Sequence, residues 1–463
     1  MKSKFITLKL GIKNNKIDGL LIFLSKKSTT QLISTLNKFA AAPVIISKKN
    51  IIKSNPKYIF INSGNANACT GKEGISNTKN ILSLLAKKLT CKVSEIIIMS
   101  TGIIGRQLPF DKIKKSIIKN SFNTYSSLKG AASAVMTTDK YPKYLSKTYK
   151  IGSKKISFSG FCKGAGMIEP NMATMLAFIE TNVSISRTNL KKYLNHCAEL
   201  SFNVISVDGD MSTNDCVAFT STNDIKIDFK NKTNEKKYLE FASDFFIKLS
   251  SKIVKDGEGA TKVIKLHICN AKTKTLPQII SRKITQSLQV KTAMYGEDPN
   301  WGRIIASLGS IDKSSFNTSK VKLFINNILC FDNGIPKDAG SKRLANSMKK
   351  NNIEIIDLIF ISLISLMSGI LLALIYINLR KIKSSRDSID YDFEEAIEDN
   401  SNNIMPSGLS VENNEDQQQL DLAIMYFEMD NKERAQNILD DIIDKTDNES
   451  IKEDALSLLN KIK

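Results

Sequence analysis

Histidine is nearly missing from this sequence. The chain has 463 residues and two histidines, His196 and His267, far apart and in no motif. A nucleophile paired with an adjacent histidine, or a metal site built on imidazoles, therefore has little to draw on. Cysteine offers no substitute. The seven cysteines (Cys69, Cys91, Cys162, Cys197, Cys216, Cys269 and Cys330) are odd in number and form no CxxC pair. That pattern points to free thiols in a reducing compartment and away from a disulfide scaffold or a zinc site. The N-terminus, MKSKFITLKLGIKNNKIDG, lacks the uninterrupted apolar stretch and cleavage site of a secretory signal. Charge is plentiful but uneven. The net value is +21, yet the chain from Ser384 onward holds 21 Asp and Glu against 7 Lys and Arg. The basic remainder carries scattered lysines, without an arginine stripe or interleaved aromatics, so no nucleic-acid partner is expected.

A hydroxyl nucleophile without histidine needs another base. One solution is a threonine whose own α-amine is freed by cleavage of the preceding peptide bond. The stretch KGAGMIEPNMATMLAFIETN (Lys163–Asn182) has the form for it. Two glycines, Gly164 and Gly166, lead to Pro170, then to the step Ala173–Thr174, then to a short apolar run that reads as a buried strand. Thr174 would sit at the mouth of that strand. An ordinary buried threonine is the alternative reading of the residue alone.

Along the chain, Leu20–Leu24, Ala42–Ser47 and Tyr58–Asn62 read as strands and Thr30–Phe39 as a short helix. The Tyr58–Asn62 strand enters NSGNANACTG, a cluster that serves either a ligand or a structural turn. Asn77–Leu89 reads as a helix. The Ile96–Met99 strand ends in STGIIG, where the Thr101 hydroxyl and the Gly102 N–H can supply two donors to a developing oxyanion. Ile113–Ile118 begins a further helix. TTDKYPK follows, and an alternating strand over Lys150–Cys162 delivers the chain to Lys163. Ser186–Leu200 and Glu235–Ile253 read as helices. Between them, SFNVISVDGDMSTND carries Asp208, Asp210 and Asp215 without the EF-hand spacing or its terminal Glu, so it reads as a hydrogen-bonded turn and no metal is expected. Glu258, between the glycines of KDGEGATK, either meets a ligand amine or marks an exposed turn.

Nine motifs in register resemble the bifunctional ornithine acetyltransferases of arginine biosynthesis: GIKNNKIDG, NKFAAAPV, NSGNANACTG, STGIIG, TTDKYPK, KGAGMIEPNMATMLAFI, SFNVISVDGDMSTND, DGEGATK and GEDPNWGRI. The resemblance runs from Lys9 to Ala345. It implies an α/β fold, an αββα layered sandwich. It also implies self-cleavage between Ala173 and Thr174, an acetyl-Thr174 intermediate, and transfer from N-acetylornithine to glutamate, giving ornithine and N-acetylglutamate. Acetyl-CoA enters as an open second acetyl donor, and no bound cofactor is implied. Thr101 and Gly102 match the family's oxyanion pair. Thr138, Lys163, Thr174 and Glu258 match its substrate contacts. The cleaved chains, 1–173 and 174–350, would assemble as α2β2 in the cytoplasm.

After residue 350 the sequence leaves the family. No counterpart of the family's terminal substrate segment is read. Leu358–Leu379 is 22 residues without a charge, long enough to span a bilayer, and residues 354–380 are expected to form a transmembrane helix tethering the enzyme to the inner membrane. Its flanks, Lys342, Arg343, Lys349 and Lys350 before and Arg380, Lys381, Lys383 and Arg386 after, leave the topology open. Residues 384–419 read as a disordered acidic linker. Residues 420–463 read as a small helical tail, similar to the cytoplasmic end of membrane-anchored pilus-assembly proteins of the FimV type. A second functional reading follows, a membrane-anchored interaction protein carrying an inactive acetyltransferase remnant.

Overall fold

The computed structural model describes residues 2–14, 16–169, 175–271, 273, 275–312, 316–337, 341–349, 352–359, 420, 423, 432–446 and 449–462. The order is β1 (Lys4–Leu8), β2 (Gly19–Phe23), β3 (Thr29–Ser34), α1 (Ala42–Lys53), β4 (Tyr58–Asn65), α2 (Gly71–Leu89), β5 (Ile96–Ile103), α3 (Phe110–Lys119), α4 (Leu128–Ala134), β6 (Lys143–Ile151), β7 (Lys154–Lys163), β8 (Leu176–Val183), α5 (Arg187–Glu199), β9 (Cys216–Ile225) and α6 (Lys232–Lys255). Then come β10 (Val263–Cys269), α7 (Leu276–Gln286), α8 (Leu288–Tyr295), α9 (Gly302–Gly309), β11 (Val321–Ile325), β12 (Ile328–Asp332), β13 (Ile335–Pro336), α10 (Lys342–Met348) and β14 (Asn352–Ile359). Two further helices, α11 (Lys432–Lys445) and α12 (Glu449–Ile462), belong to a separate unit of residues 374–463.

The fold is mixed α/β. One sheet has the order β1-β2-β4-β5 and a second β3-β9-β8-β7-β6. Period-two strands bury alternate side chains on opposite faces, and the buried residues fall into clusters accordingly. Ile22, Ile59, Ile61 and Ile97 of the first sheet pack with Phe161, Leu176 and Phe178 of the second. The other face of the first sheet, with Phe60, Ile96 and Ile98, packs on Leu82 and Leu85 of α2 and Ile113 and Ile117 of α3. The other face of the second, with Phe158, Ile179 and Phe219, packs on Leu190 and Tyr193 of α5 and Tyr238, Phe245 and Leu249 of α6.

Two expected elements change type. Ala42–Ser47 reads as a strand because Val44, Ile45 and Ile46 are β-branched, yet it opens α1. Pro43 in the first turn is pre-set for a helix and needs no N–H there. The helix then covers the open edge of β5. Ser47 Oγ donates to the Ile98 carbonyl at 2.6 Å and accepts from its N–H at 2.9 Å, and Asn50 Nδ2 donates to the Ile96 carbonyl at 2.9 Å. These bonds satisfy backbone groups that an edge strand leaves unpaired. Thr30–Phe39, read as a helix, instead starts in β3, antiparallel to β9 from Thr29↔Ser221 to Ser34↔Cys216. The neighbouring β-branched Thr29, Thr30 and Ile33 suit a strand, and partner pairing decides the matter. The strand expected over Lys150–Cys162 is a hairpin, β6 and β7, turning at Gly152 with φ +57°.

The third sheet, β10-β14-β11-β12-β13, corrects the membrane reading at its start. Residues 354–359, assigned above to a transmembrane helix, lie in β14. Leu358 is paired with Cys269 of β10 and with Lys322 of β11, and Ile359 with Val321. The sequence NIEIIDLI puts Glu354 and Asp357 between apolar residues, a pattern a lipid-facing helix does not tolerate and a sheet does. Among the described residues no helix is long and apolar enough to cross a membrane. Most of the apolar run, and the linker 384–419, lie outside the described residues. In the separate unit, α11 and α12 pack through Leu439, Ile442, Ile451, Ala455 and Leu459, with Leu420 and Ala423 in the same cluster.

Candidate active site

Parallel strands β4 and β5 release their loops at the same end of the first sheet. The two strands come so close there that Gly102 admits no side chain. A Cβ on Gly102 would lie 2.2 Å from the Gly64 carbonyl carbon and 2.4 Å from the Asn65 nitrogen, and its φ is +134°. STGIIG therefore holds Thr101 and Gly102 against the turn of NSGNANACTG. The asparagines of that turn are occupied internally. Asn62 Nδ2 donates to the Asn65 carbonyl, Asn65 Nδ2 to the carbonyls of Arg106 and Gln107, and Asn67 Nδ2 to Gly74 and Thr78. Of the two readings of NSGNANACTG, the side chains follow the structural one. Asn214, from SFNVISVDGDMSTND, ties the turn to β5 by donating to the carbonyls of Ala66 at 2.6 Å and Ser100 at 2.8 Å.

Lys163 is the last residue of β7, in the second sheet. Its side chain reaches the first sheet, and Nζ donates to Thr101 Oγ1 at 3.1 Å. Accepting there leaves the Thr101 hydroxyl its own proton to donate elsewhere. Both residues are buried. Burial lowers the Lys163 pKa. Asp139, Asp215 and Glu258 work against that, whereas Lys143 adds to it. Leu176, at the start of β8, is the register partner of Lys163 and of Cys216. Ala173 and Thr174, the expected cleavage step and nucleophile, lie outside the described residues.

The remaining expected contacts are held around Lys163. Asp139 follows Thr138, which is exposed, and its carboxylate accepts the N–H groups of Thr137 at 2.9 Å and Gly164 at 2.7 Å. Glu258 is exposed. Its N–H donates to the Ala165 carbonyl at 2.9 Å, and its carboxyl lies against Gly166, where a Cβ would meet it at 2.7 Å. Glycine at 166 is thus what lets Glu258 come this close. Asp208 accepts the N–H groups of Met167 and of Ile168, the latter at 2.7 Å, so it braces the loop after Lys163. Among the described residues no cluster of His, Cys, Asp and Glu is arranged to hold a metal ion.

Sequence reasoning missed several participants. Lys143 is buried between Asp139 and Asp256, at 2.6 and 2.5 Å. Burial opposes its charge, but the two carboxylates outweigh burial and raise its pKa. Burial likewise pushes the Asp139 carboxyl up, and Lys163, Lys143 and the hydrogen bonds outweigh it, leaving the pKa below its ordinary value. Lys13 donates to Ser63 Oγ at 2.7 Å and to the Met136 carbonyl at 2.5 Å, just ahead of Thr137. Buried Asp18 fixes the loop that carries Lys13 by accepting the N–H groups of Leu10, Ile12 and Lys13. The motif GIKNNKIDG contains both residues but signals no role for either.

The comparisons with known proteins agree with the motifs. The ArgJ family model matches residues 4–360. The mitochondrial arginine biosynthesis bifunctional protein ArgJ of Dictyostelium discoideum is 45% identical over 303 residues, covering 64% of this chain and 68% of that protein. The ArgJ protein of Lactococcus lactis is 38% identical over 355 residues, covering 74% of this chain and 87% of that protein. A solved ornithine acetyltransferase of Mycobacterium tuberculosis, complexed with ornithine, is 27% identical with a TM-score of 0.32, over 37% of this chain and 92% of that chain. The chain belongs to the ArgJ family.

Proposed function

We propose that this chain is an ornithine and glutamate N-acetyltransferase of arginine biosynthesis that works through an acetyl-threonine at Thr174. The single observation that carries the reading is the Lys163–Thr101 hydrogen bond across the two sheets, beside Gly102 and opposite the first residue of β8. It joins the family's matching oxyanion and substrate positions in one place. The precursor cuts itself between Ala173 and Thr174, which frees the Thr174 α-amine. That amine takes the hydroxyl proton as Oγ attacks the acetyl carbonyl of N-acetylornithine. The Thr101 O–H and Gly102 N–H stabilise the oxyanion. Collapse breaks the amide C–N bond, and the proton passes to the departing α-amine of ornithine. The α-amine of glutamate then attacks the acetyl ester and restores the Thr174 hydroxyl, giving N-acetylglutamate. Thr138, Lys163 and Glu258 hold the amino-acid substrates, Glu258 through a substrate amine. The reading requires no bound cofactor and leaves acetyl-CoA as an open second donor.

The same reading gives the fold as an αββα sandwich, supported by the three clusters that join helices, sheet, sheet and helices. It divides the chain at 173/174, extends the second part through β14, and assembles the parts as α2β2 in the cytoplasm. The reading of an inactive remnant gains no support from a chain whose family match runs through residue 360. The test follows labelled acetyl from N-acetylornithine to glutamate. The parent transfers label and Thr174→Ala neither cuts nor transfers. Transfer by the Thr174→Ala protein would refute the mechanism.

A further inference from the structure

Asp139, Lys143 and Asp256 form a buried chain of alternating charge. The Lys143 side chain is 0% exposed, as is that of Asp256, and that of Asp139 is 1% exposed. Taking three charges out of water is costly, and a buried ion pair often stabilises a fold no better than apolar residues of the same volume. Stability alone is therefore a poor account of the chain, and its other bonds suggest a better one. Asp139 accepts the N–H groups of Thr137 and Gly164. Asp256 Oδ2 accepts the Lys140 N–H at 2.9 Å. Glu258 stands two residues past Asp256, and its own N–H is bound to Ala165. The Asp139 end thus grips backbone next to the expected contacts Thr138 and Lys163, and the Asp256 end grips Lys140, two residues past Thr138, while standing two residues before Glu258.

We propose that Asp139, Lys143 and Asp256 act as one positioning unit that sets the spacing of segments 137–139, 163–166 and 256–258, so that substrate affinity is fixed by side chains that do not touch the substrate. The identity of the substrate rests on the acetyl-transfer reading. The unit itself rests on the hydrogen bonds. Lys143 is the centre of the arrangement, because it bonds to both carboxylates, across 113 residues of sequence in the case of Asp256.

The experiment compares the purified full chain with Asp256→Asn, which keeps the shape and removes the charge. Two readouts are taken. In acetyl transfer, KM for N-acetylornithine rises about tenfold or more while kcat stays within about threefold, since Thr101 and Gly102 are carried by β5 and the unit meets them only through the Lys163 side chain. In amide exchange, the Lys140 N–H exchanges about tenfold faster because its acceptor loses its charge, the Gly164 N–H also exchanges faster because Asp139 loses the bracing it has through Lys143, and that of Ile98, bonded to Ser47, is unchanged. An unchanged KM with unchanged exchange overturns the proposal. So does a fall in kcat at constant KM. If Asp256→Asn does not fold, Asp256→Glu is read by the same two criteria, because the added methylene moves the charge without removing it. A parent protein without transfer activity whose variant still shows faster exchange at Lys140 and Gly164 supports the positioning unit and refutes the acetyl-transfer reading, which keeps the two claims separable.

Discussion

Gly102→Ala is the smallest change that tests the geometry of the site. The added methyl would sit 2.2 Å from the Gly64 carbonyl carbon, 2.4 Å from the Asn65 nitrogen and 2.7 Å from the Gly64 Cα. All three are backbone atoms, so no side-chain rotation relieves the overlap and β4 and β5 must separate. The φ of +134° adds strain for any residue with a Cβ, of about 1–3 kcal/mol. Overlap with backbone adds to that strain, so the variant melts at a lower temperature than the parent and is assayed well below its own midpoint. Separation of the strands displaces the Thr101 hydroxyl and the Gly102 N–H from the oxyanion position proposed for them, and loss of one such donor slows chemistry about 10²–10³-fold. The expected pattern in a transfer assay is therefore a kcat lower by about that factor with KM changed far less, because Thr138 and Glu258 are held from other strands and loops. A folded Gly102→Ala protein with kcat within about threefold of the parent would refute the reasoning.

Other consequences follow from the same structure. Thr101→Ala lowers kcat about tenfold to a thousandfold and also costs about 1–3 kcal/mol in a denaturant titration, because it removes the acceptor of the buried Lys163 ammonium. Asp18→Asn weakens three N–H bonds to a buried carboxylate and costs about 2–3 kcal/mol in a denaturant titration. The depressed pKa of Asp139 makes it a source of acid lability. Its contribution to stability is present above its ordinary 3.8 and is lost as pH falls through the lower folded value, so the stability difference between parent and Asp139→Asn shrinks below that point. Cys69 is exposed, whereas Cys162, Cys197 and Cys216 are buried. Burial pushes the Cys197 thiol up to about 12. A thiol reagent therefore labels Cys69 in the native protein and reaches those three only on unfolding.

Much of the first two sheets could be read from the chain itself. Apolar runs followed by glycine and hydroxyl residues located the ends of β4 and β5, and the run after Thr174 located β8. The errors have local causes. Val44, Ile45 and Ile46 carry strand propensity, but Pro43 opens a helix that the edge of β5 then secures through Ser47 and Asn50. The apolar run from Leu358 satisfies a length criterion, but its first two residues belong to a strand that begins at Asn352 and pairs with β10 and β11. The ionic unit was invisible for a different reason. Lys143 and Asp256 are 113 residues apart, and in a single sequence rich in lysine nothing marks which charges pair. The site's floor was recognisable by motif, and its supports became visible only with distances.

The central claim is that Thr174 carries the acetyl group. The direct measurement is the intact mass of the purified protein under denaturing conditions, before and after brief exposure to N-acetylornithine without glutamate. The account predicts two chains divided between Ala173 and Thr174, with the second chain gaining one acetyl group at its N-terminal residue and losing it when glutamate is added. A single uncut chain, or two chains of unchanged mass while acetyl is transferred, would contradict it.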